Sequence, residues 1–190
     1  VHGARICVID GDDPPPECVP ECDGLITARP GVALAIRTAD CVPLLFVDRV
    51  RRVIGVAHAG WRGTALGMAS RMVSAFVEKF SSRVEDILVA IGPAVGPCCY
   101  QVDAPVNAAF SSSAGADGFL RPCREEGRWM LDLALANRLQ IRDQGVTEGN
   151  ILSADLCTAC RQELFFSHRA SGGHTGRQIN LLMLLGDGGR

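Results

Sequence analysis

A mixed α and β fold in one globular domain is what this sequence predicts, on three observations. Short apolar runs rich in Val, Ile and Leu recur at 32–38, 43–48, 53–58 and 86–91, the composition of strands covered on both faces. An apolar stripe at three- and four-residue spacing passes through Leu66, Ala69, Met72, Val73, Phe76, Val77 and Phe80, the period of an amphipathic helix. With 190 residues and 47% hydrophobic side chains, the chain can bury a sizeable core, and its length suits a single domain, 1–190, better than two.

The elements follow in order. A strand-like run, Arg5 to Ile9, opens the chain. Asp10 to Cys22 contains Pro14-Pro15-Pro16, which fixes φ and removes amide donors, so a surface loop is expected there. Cys18 and Cys22 in this loop are expected to be ordinary surface thiols. The strands at 32–38, 43–48 and 53–58 come next, then the striped helix with Thr64 as its candidate cap, then the strand at 86–91. Gly92 to Tyr100 breaks regular structure twice, a short helix is expected from Ala104 to Phe110, and Ser111 to Gly118 reads as an exposed loop. A second long helix is expected over Leu131 to Gln144, with Leu131, Leu135, Leu139 and Ile141 apolar and Gly145 at its stop. A short strand near Ile151, a loop with Cys157 and Cys160, and a polar stretch from Ser167 to Arg177 precede a closing strand, Gln178 to Leu185.

A formal net charge of -2 leaves no electrostatic footprint for nucleic acid or an anionic membrane, so neither is expected as a partner. No apolar stretch reaches the roughly 18 to 20 residues that span a bilayer. Nine cysteines, an odd number including the neighbours Cys98 and Cys99, do not resemble a disulfide framework, and a reducing cytoplasmic setting is expected.

The chemistry concentrates where apolar runs end. Val53 to Ala57 leads into His58-Ala59-Gly60-Trp61-Arg62-Gly63, and the run from Val32 leads into Thr38-Ala39-Asp40-Cys41. A catalytic zinc site needs three protein ligands and an open position, and Cys41, His58 and His2 are candidates from a pool of only four histidines. At this spacing a buried thiol with two hydrogen-bonded histidines is the commoner arrangement, and a nucleophilic Cys41 activated by His58 is another reading that spacing does not separate from a ligand. Cys157-Thr158-Ala159-Cys160 has the spacing of a zinc knuckle or redox dithiol, with no second ligand pair at the usual distance. The zinc deaminase signature, with Glu two residues after the ligating histidine, is absent at His58. Arg62, Arg169 and Arg177 lie in glycine-containing turns suited to gripping an anion. Asp40 is a candidate proton-transfer or ligand-orienting group, or simply a turn residue.

Taken together, Val1-His2-Gly3, Ala39-Asp40-Cys41-Val42-Pro43, Ala57 to Gly63, Ile91 to Tyr100 and Thr175-Gly176-Arg177 resemble the laccase-domain family, also called the polyphenol oxidase or YfiH-like family. The resemblance runs over essentially the whole chain. It implies an α+β fold of mixed β-sheets packed as a sandwich and flanked by helices. It also implies that His2, Cys41 and His58 bind zinc, with copper as the second option, and that they form the catalytic centre. Members of the family carry several tens of residues ahead of the position of Val1, so part of the domain, including substrate-binding residues, is expected to be missing here. The activity implied is phosphorolysis of adenosine, inosine, guanosine and methylthioadenosine, with hydrolytic deamination of adenosine. Purine nucleosides and phosphate are then the partners, with Arg62 first for the anion and Arg169 and Arg177 behind it. Oligomeric state is left open. Multicopper oxidation is disfavoured because four histidines cannot populate a mononuclear and a trinuclear copper centre. Where the family reads Ser-Tyr-Arg, this chain has Ser167-His168-Arg169. A cysteine hydrolase acting on peptidoglycan precursors, with Cys41 as nucleophile, is the alternative enzyme. A metal-binding protein without catalysis is the third reading.

Overall fold

A computed structural model of the chain describes residues 2–11, 19 and 21–186. Its elements are β1 (Ile6–Val8), β2 (Gly24–Thr27), β3 (Ala33–Thr38), β4 (Val42–Asp48), β5 (Val53–Ala59), α1 (Trp61–Ala65), α2 (Met68–Phe80) and β6 (Ile87–Ile91). They continue through β7 (Gln101–Val102), α3 (Ala104–Phe110), α4 (Ala116–Phe119), β8 (Leu120–Pro122), β9 (Trp129–Leu131), α5 (Leu133–Asp143), β10 (Ile151–Ser153) and β11 (Gln178–Met183).

Six strands form the main sheet in the order β1-β2-β5-β4-β6-β10. Its interior pairs are antiparallel, and its edges are parallel, β1 with β2 and β10 with β6. The hydrophobic alternation of β5 divides the core. Val53 and Ala57 face one way, onto Met68, Met72, Val73 and Phe76 of α2. Gly55 lies on that same face, where a Cβ would come 2.8 Å from both Met72 and Phe76, so only glycine lets α2 settle this close. Ile54 and Val56 face the other way, onto Leu34 and Ile36 of β3 and Leu182 of β11. β3 and β11 pair antiparallel as a two-stranded ribbon, and the ribbon, main sheet and helix layer make the expected sandwich. A third, small sheet, β7-β9-β8, completes the mixed fold.

Several expectations need correction. β3 is not covered on both faces: Leu34, Ile36 and Thr38 are buried while Ala33, Ala35 and Arg37 are exposed, because a two-stranded ribbon has only one face against the core. Thr64 does not cap the long helix. It is buried in α1, where its hydroxyl accepts from Asn137 Nδ2 at 2.9 Å, and Gly67 in a left-handed conformation starts α2. Leu66 is accordingly exposed rather than part of the buried stripe. The second long helix begins at Leu133, with Asp132 accepting from the Leu135 amide as its cap, and Leu131 belongs to β9. The stretch expected as a loop at 111–118 includes the start of α4. Cys22, expected as a free thiol, is bonded to Cys7, since the parallel pairing of β1 and β2 returns the chain beside it. Cys18 and Pro14-Pro15-Pro16 lie outside the described residues. Among those described, no helix is long and apolar enough to cross a membrane.

Candidate functional site

The strand periodicity that buries Ile54 and Val56 puts His58 on the same face of the main sheet, at the end of β5 nearest α1. Cys41 reaches it through the turn that carries the chain from β3 into β4, where Pro43 pairs with His58. Asp40 makes that turn with φ of 82°, a conformation Asp tolerates better than most side chains. His2 arrives from the segment ahead of β1, held because the Gly3 amide donates to Asp23 Oδ2 at 2.7 Å. The three residues thus converge, with one ligand atom from each lying within 4.8 Å of the others.

Gly60 forms the floor of this cluster. A Cβ there would lie 3.0 Å from Cys41 Sγ and 3.2 Å from His2 Cδ2, so glycine preserves the space between the three donors. Gly63 plays a second steric part: its Cβ would sit 2.6 Å from the Gly3 carbonyl oxygen, and its absence lets α1 press against the segment that carries His2. Two imidazoles and a sulfur around a kept space suit a borderline cation of the zinc or copper kind.

Asp23, at the entry to β2, organises the cluster. Its backbone carbonyl accepts from the His58 amide at 2.7 Å, and its Oδ1 lies 3.1 Å from His58 Nδ1. With Nδ1–H donating to Asp23, the Nε2 lone pair of His58 is left for a ligand. Burial holds His58 below its ordinary pKa although Asp23 pulls the other way. Burial, then the neighbouring His58, lower His2. Both rings are therefore neutral at pH 7, the form that ligates. Burial, then Asp40, push the Cys41 thiol up to about 11, so a thiolate at this position calls for a cation beside it.

Replacing Asp23 by Asn tests this arrangement. The carboxylate accepts from two donors, Gly3 N–H and His58 Nδ1–H, whereas a carboxamide turns a donor toward one of them. Metal affinity, measured by competition with a chelator, is expected to fall about 10- to 100-fold. An unchanged affinity would mean that Asp23 does not orient the ligand.

The cluster opens into a cavity of about 1290 Å³ whose lining includes Trp61, Tyr100, His168, Arg169 and Arg177. Burial, then the nearby Cys41, push the Tyr100 phenol up to about 12, so it keeps its proton. The Arg169 guanidinium lies 5.0 Å from the Tyr100 ring centre, and the Arg169 amide donates to Asp40 Oδ2 at 2.6 Å. Asp40 Oδ1 accepts from the Thr158 hydroxyl at 2.6 Å, so this buried carboxylate ties the Cys157–Cys160 loop and the 167–169 turn to the residue next to Cys41. Arg177 Nη1 donates to the carbonyls of Thr175 and Gly176, which holds it at the cavity. Arg62 is placed differently. It is exposed, stacked with its guanidinium 4.3 Å from the Trp61 ring centre, and it is not among the residues lining the cavity.

Sequence reasoning did not single out Asp23 or Tyr100. The one signal for Asp23 was an Asp-Gly pair just ahead of a short apolar run, a pattern shared by many turns.

A family model described as multi-copper polyphenol oxidoreductase laccase matches residues 1–185. The chain is 44% identical over 187 residues to purine nucleoside phosphorylase YlmD of Geobacillus stearothermophilus, covering 94% of this chain and 68% of that protein. It is 36% identical over 170 residues to human purine nucleoside phosphorylase LACC1, covering 85% of this chain and 38% of that one. Among solved structures, the Bacillus licheniformis protein YfiH superposes with a TM-score of 0.92 at 38% identity, over 97% of this chain and 72% of that chain. With this likeness over nearly its whole length, the chain belongs to the multi-copper polyphenol oxidoreductase laccase family, the group also called laccase-domain or YfiH-like.

Proposed function

We propose that this chain is a zinc-dependent purine nucleoside phosphorylase acting on adenosine, inosine, guanosine and methylthioadenosine, with adenosine deaminase activity. The observation that carries the reading is the convergence of His2, Cys41 and His58 on a space kept clear by Gly60, at the wall of a cavity that Arg169 and Arg177 also line. Relatives named purine nucleoside phosphorylase support the reaction class.

His2, Cys41 and His58 would hold the ion, with Asp23 fixing the tautomer of His58. When bound, zinc supplies a Lewis acid that polarises an oxygen and brings the pKa of water toward neutrality. The protein's own part in phosphorolysis is to hold phosphate against C1 of the ribose and to balance the oxocarbenium charge as the purine leaves. Arg169 and Arg177 line the cavity together with Arg37, and they take this task ahead of Arg62, which does not line it. Trp61 and Tyr100 give the cavity flat aromatic surface suited to a purine face. A nucleophilic Cys41 is the weaker alternative, since burial favours its protonated thiol and neither neighbouring imidazole is charged to offset that.

Incubation of the zinc-loaded protein with adenosine, with and without phosphate, tests the proposal. Ribose 1-phosphate and adenine are expected with phosphate, and inosine with water alone. Metal-free turnover of an amide, blocked by alkylation of Cys41, would instead establish the hydrolase. Replacing Arg177 by Ala is expected to lower phosphorolysis about 10- to 100-fold, the worth of a hydrogen bond to a charged group, while deamination stays unchanged. Equal loss of both activities would remove Arg177 from phosphate binding.

A further inference from the structure

The knuckle-spaced pair Cys157 and Cys160 is not alone. Two sequence-distant loops meet beside the candidate site: Ala94 forms a parallel bridge with Cys157, the Thr158 amide donates to the Ala94 carbonyl at 2.9 Å, and the Ala94 amide donates to Leu156. This pairing brings the turn at Cys98 and Cys99 against the Cys157–Cys160 loop. One sulfur from each of the four cysteines lies within 4.8 Å of the others, with Cys160 Sγ 3.5 Å from Cys98 Sγ and 3.4 Å from Cys99 Sγ. None of the four is in a disulfide.

We propose that Cys98, Cys99, Cys157 and Cys160 form a second metal centre, a tetrathiolate site for zinc that clamps the 92–100 loop to the 154–160 loop. A tetrahedral Zn(Cys)4 centre with Zn–S bonds of about 2.3 Å has S···S edges of about 3.8 Å, and the observed cluster brackets that dimension before any ion is added. The Gly96 amide donates to Cys157 Sγ at 3.2 Å, the kind of hydrogen bond that spreads thiolate charge in such centres. A Cβ at Gly96 would lie 3.2 Å from Cys157 Cβ and 3.4 Å from Cys98 Sγ, so a glycine here admits the approach of the two loops. On binding, four S–Zn bonds form and the four thiol protons pass to solvent, leaving a centre of net charge -2 with no change in oxidation state. All four donors are filled by protein, which makes the centre structural. Its reach extends to the cavity, because Thr158 within the knuckle bonds Asp40 and Tyr100 directly follows Cys99.

The test uses the chain with Cys41→Ser, which takes the only sulfur out of the first cluster, prepared under reducing conditions and loaded with Co(II) or Zn(II). One tightly bound Co(II) is expected, with the intense sulfur charge-transfer and d–d bands of four-thiolate tetrahedral coordination. X-ray absorption of the zinc form is expected to count four sulfur scatterers. Adding Cys157→Ser and Cys160→Ser is expected to abolish the bands. Failure of the Cys41→Ser chain to bind Co(II), a sulfur count below four, or a disulfide among these cysteines in the reduced, metal-loaded protein would each overturn the proposal. The spectroscopy and sulfur count are made without altering the four cysteines, so they decide the matter even where the multiple variant fails to fold.

Discussion

Replacing Cys41 by Ser is expected to lower metal affinity at the His2–Cys41–His58 cluster, and both proposed activities with it, by more than about 100-fold, the upper end of what losing a mere orienting partner costs. A serine hydroxyl is nearly the same shape but stays protonated, so it offers neither the charge nor the softness of a thiolate. Gly60 would still keep the space clear, and the imidazoles would still be placed by Asp23 and Gly3, so the loss reports the donor and not a collapse of the site. Metal stoichiometry and turnover are the direct measurements. A bound ion also stabilises the folded chain by mass action, so the rise in unfolding temperature on adding zinc is expected to shrink in the variant. Full turnover by a metal-free Cys41→Ser protein would end the proposed role of the cluster.

Truncating Phe76 to Ala is expected to destabilise the fold by about 3–5 kcal/mol. Phe76 is fully buried on α2, its ring centre is 5.9 Å from that of Phe46 on β4, and it fills the space beneath Gly55 on β5. Backbone lies on one side and close-packed side chains on the other, so the cavity left behind has little freedom to collapse. Chemical denaturation measures the difference. A loss below about 1 kcal/mol would mean that α2 repacks onto the sheet, against the rigidity argued for this layer.

The main helix was legible from its apolar stripe and β3 to β6 from apolar runs long enough to stand out, while the short helix at Ala104–Phe110 was placed by the breaks that precede it. β2, β7, β8 and β9 are two to four residues long and carry no period that a sequence can display. Their residues become strands because neighbours supply hydrogen bonds: Leu25 pairs with Val56, and Met130 with Gln101. The boundary of α5 was misplaced for a related reason, since Leu131 continues the apolar pattern yet serves β9, and Asp132 marks the actual start. The cluster of His2, Cys41 and His58 was reached through the family motifs, and strand-end placement of the last two pointed the same way. Asp23 was hidden because its importance is tertiary: it comes from two hydrogen bonds to residues 20 and 35 positions away. Cys98 and Cys99 escaped notice beside Cys157 and Cys160 for the same reason, as 61 or 62 residues separate the sulfurs that meet.

The β3–β11 ribbon joins Thr38 to Asn180, 142 positions along the chain, with a hydrogen bond between their side chains. Closing so long a loop carries an entropic cost of about 4 kcal/mol before any pairing compensates it. Contacts this remote slow the search for the native state, and they form late when a chain emerges residue by residue from synthesis. His2, Cys41 and His58 are made early in that order, whereas Arg169 and Arg177 are made late, Arg177 directly ahead of β11. The residues proposed to ligate a metal are thus synthesised more than a hundred positions before those proposed to hold the anion.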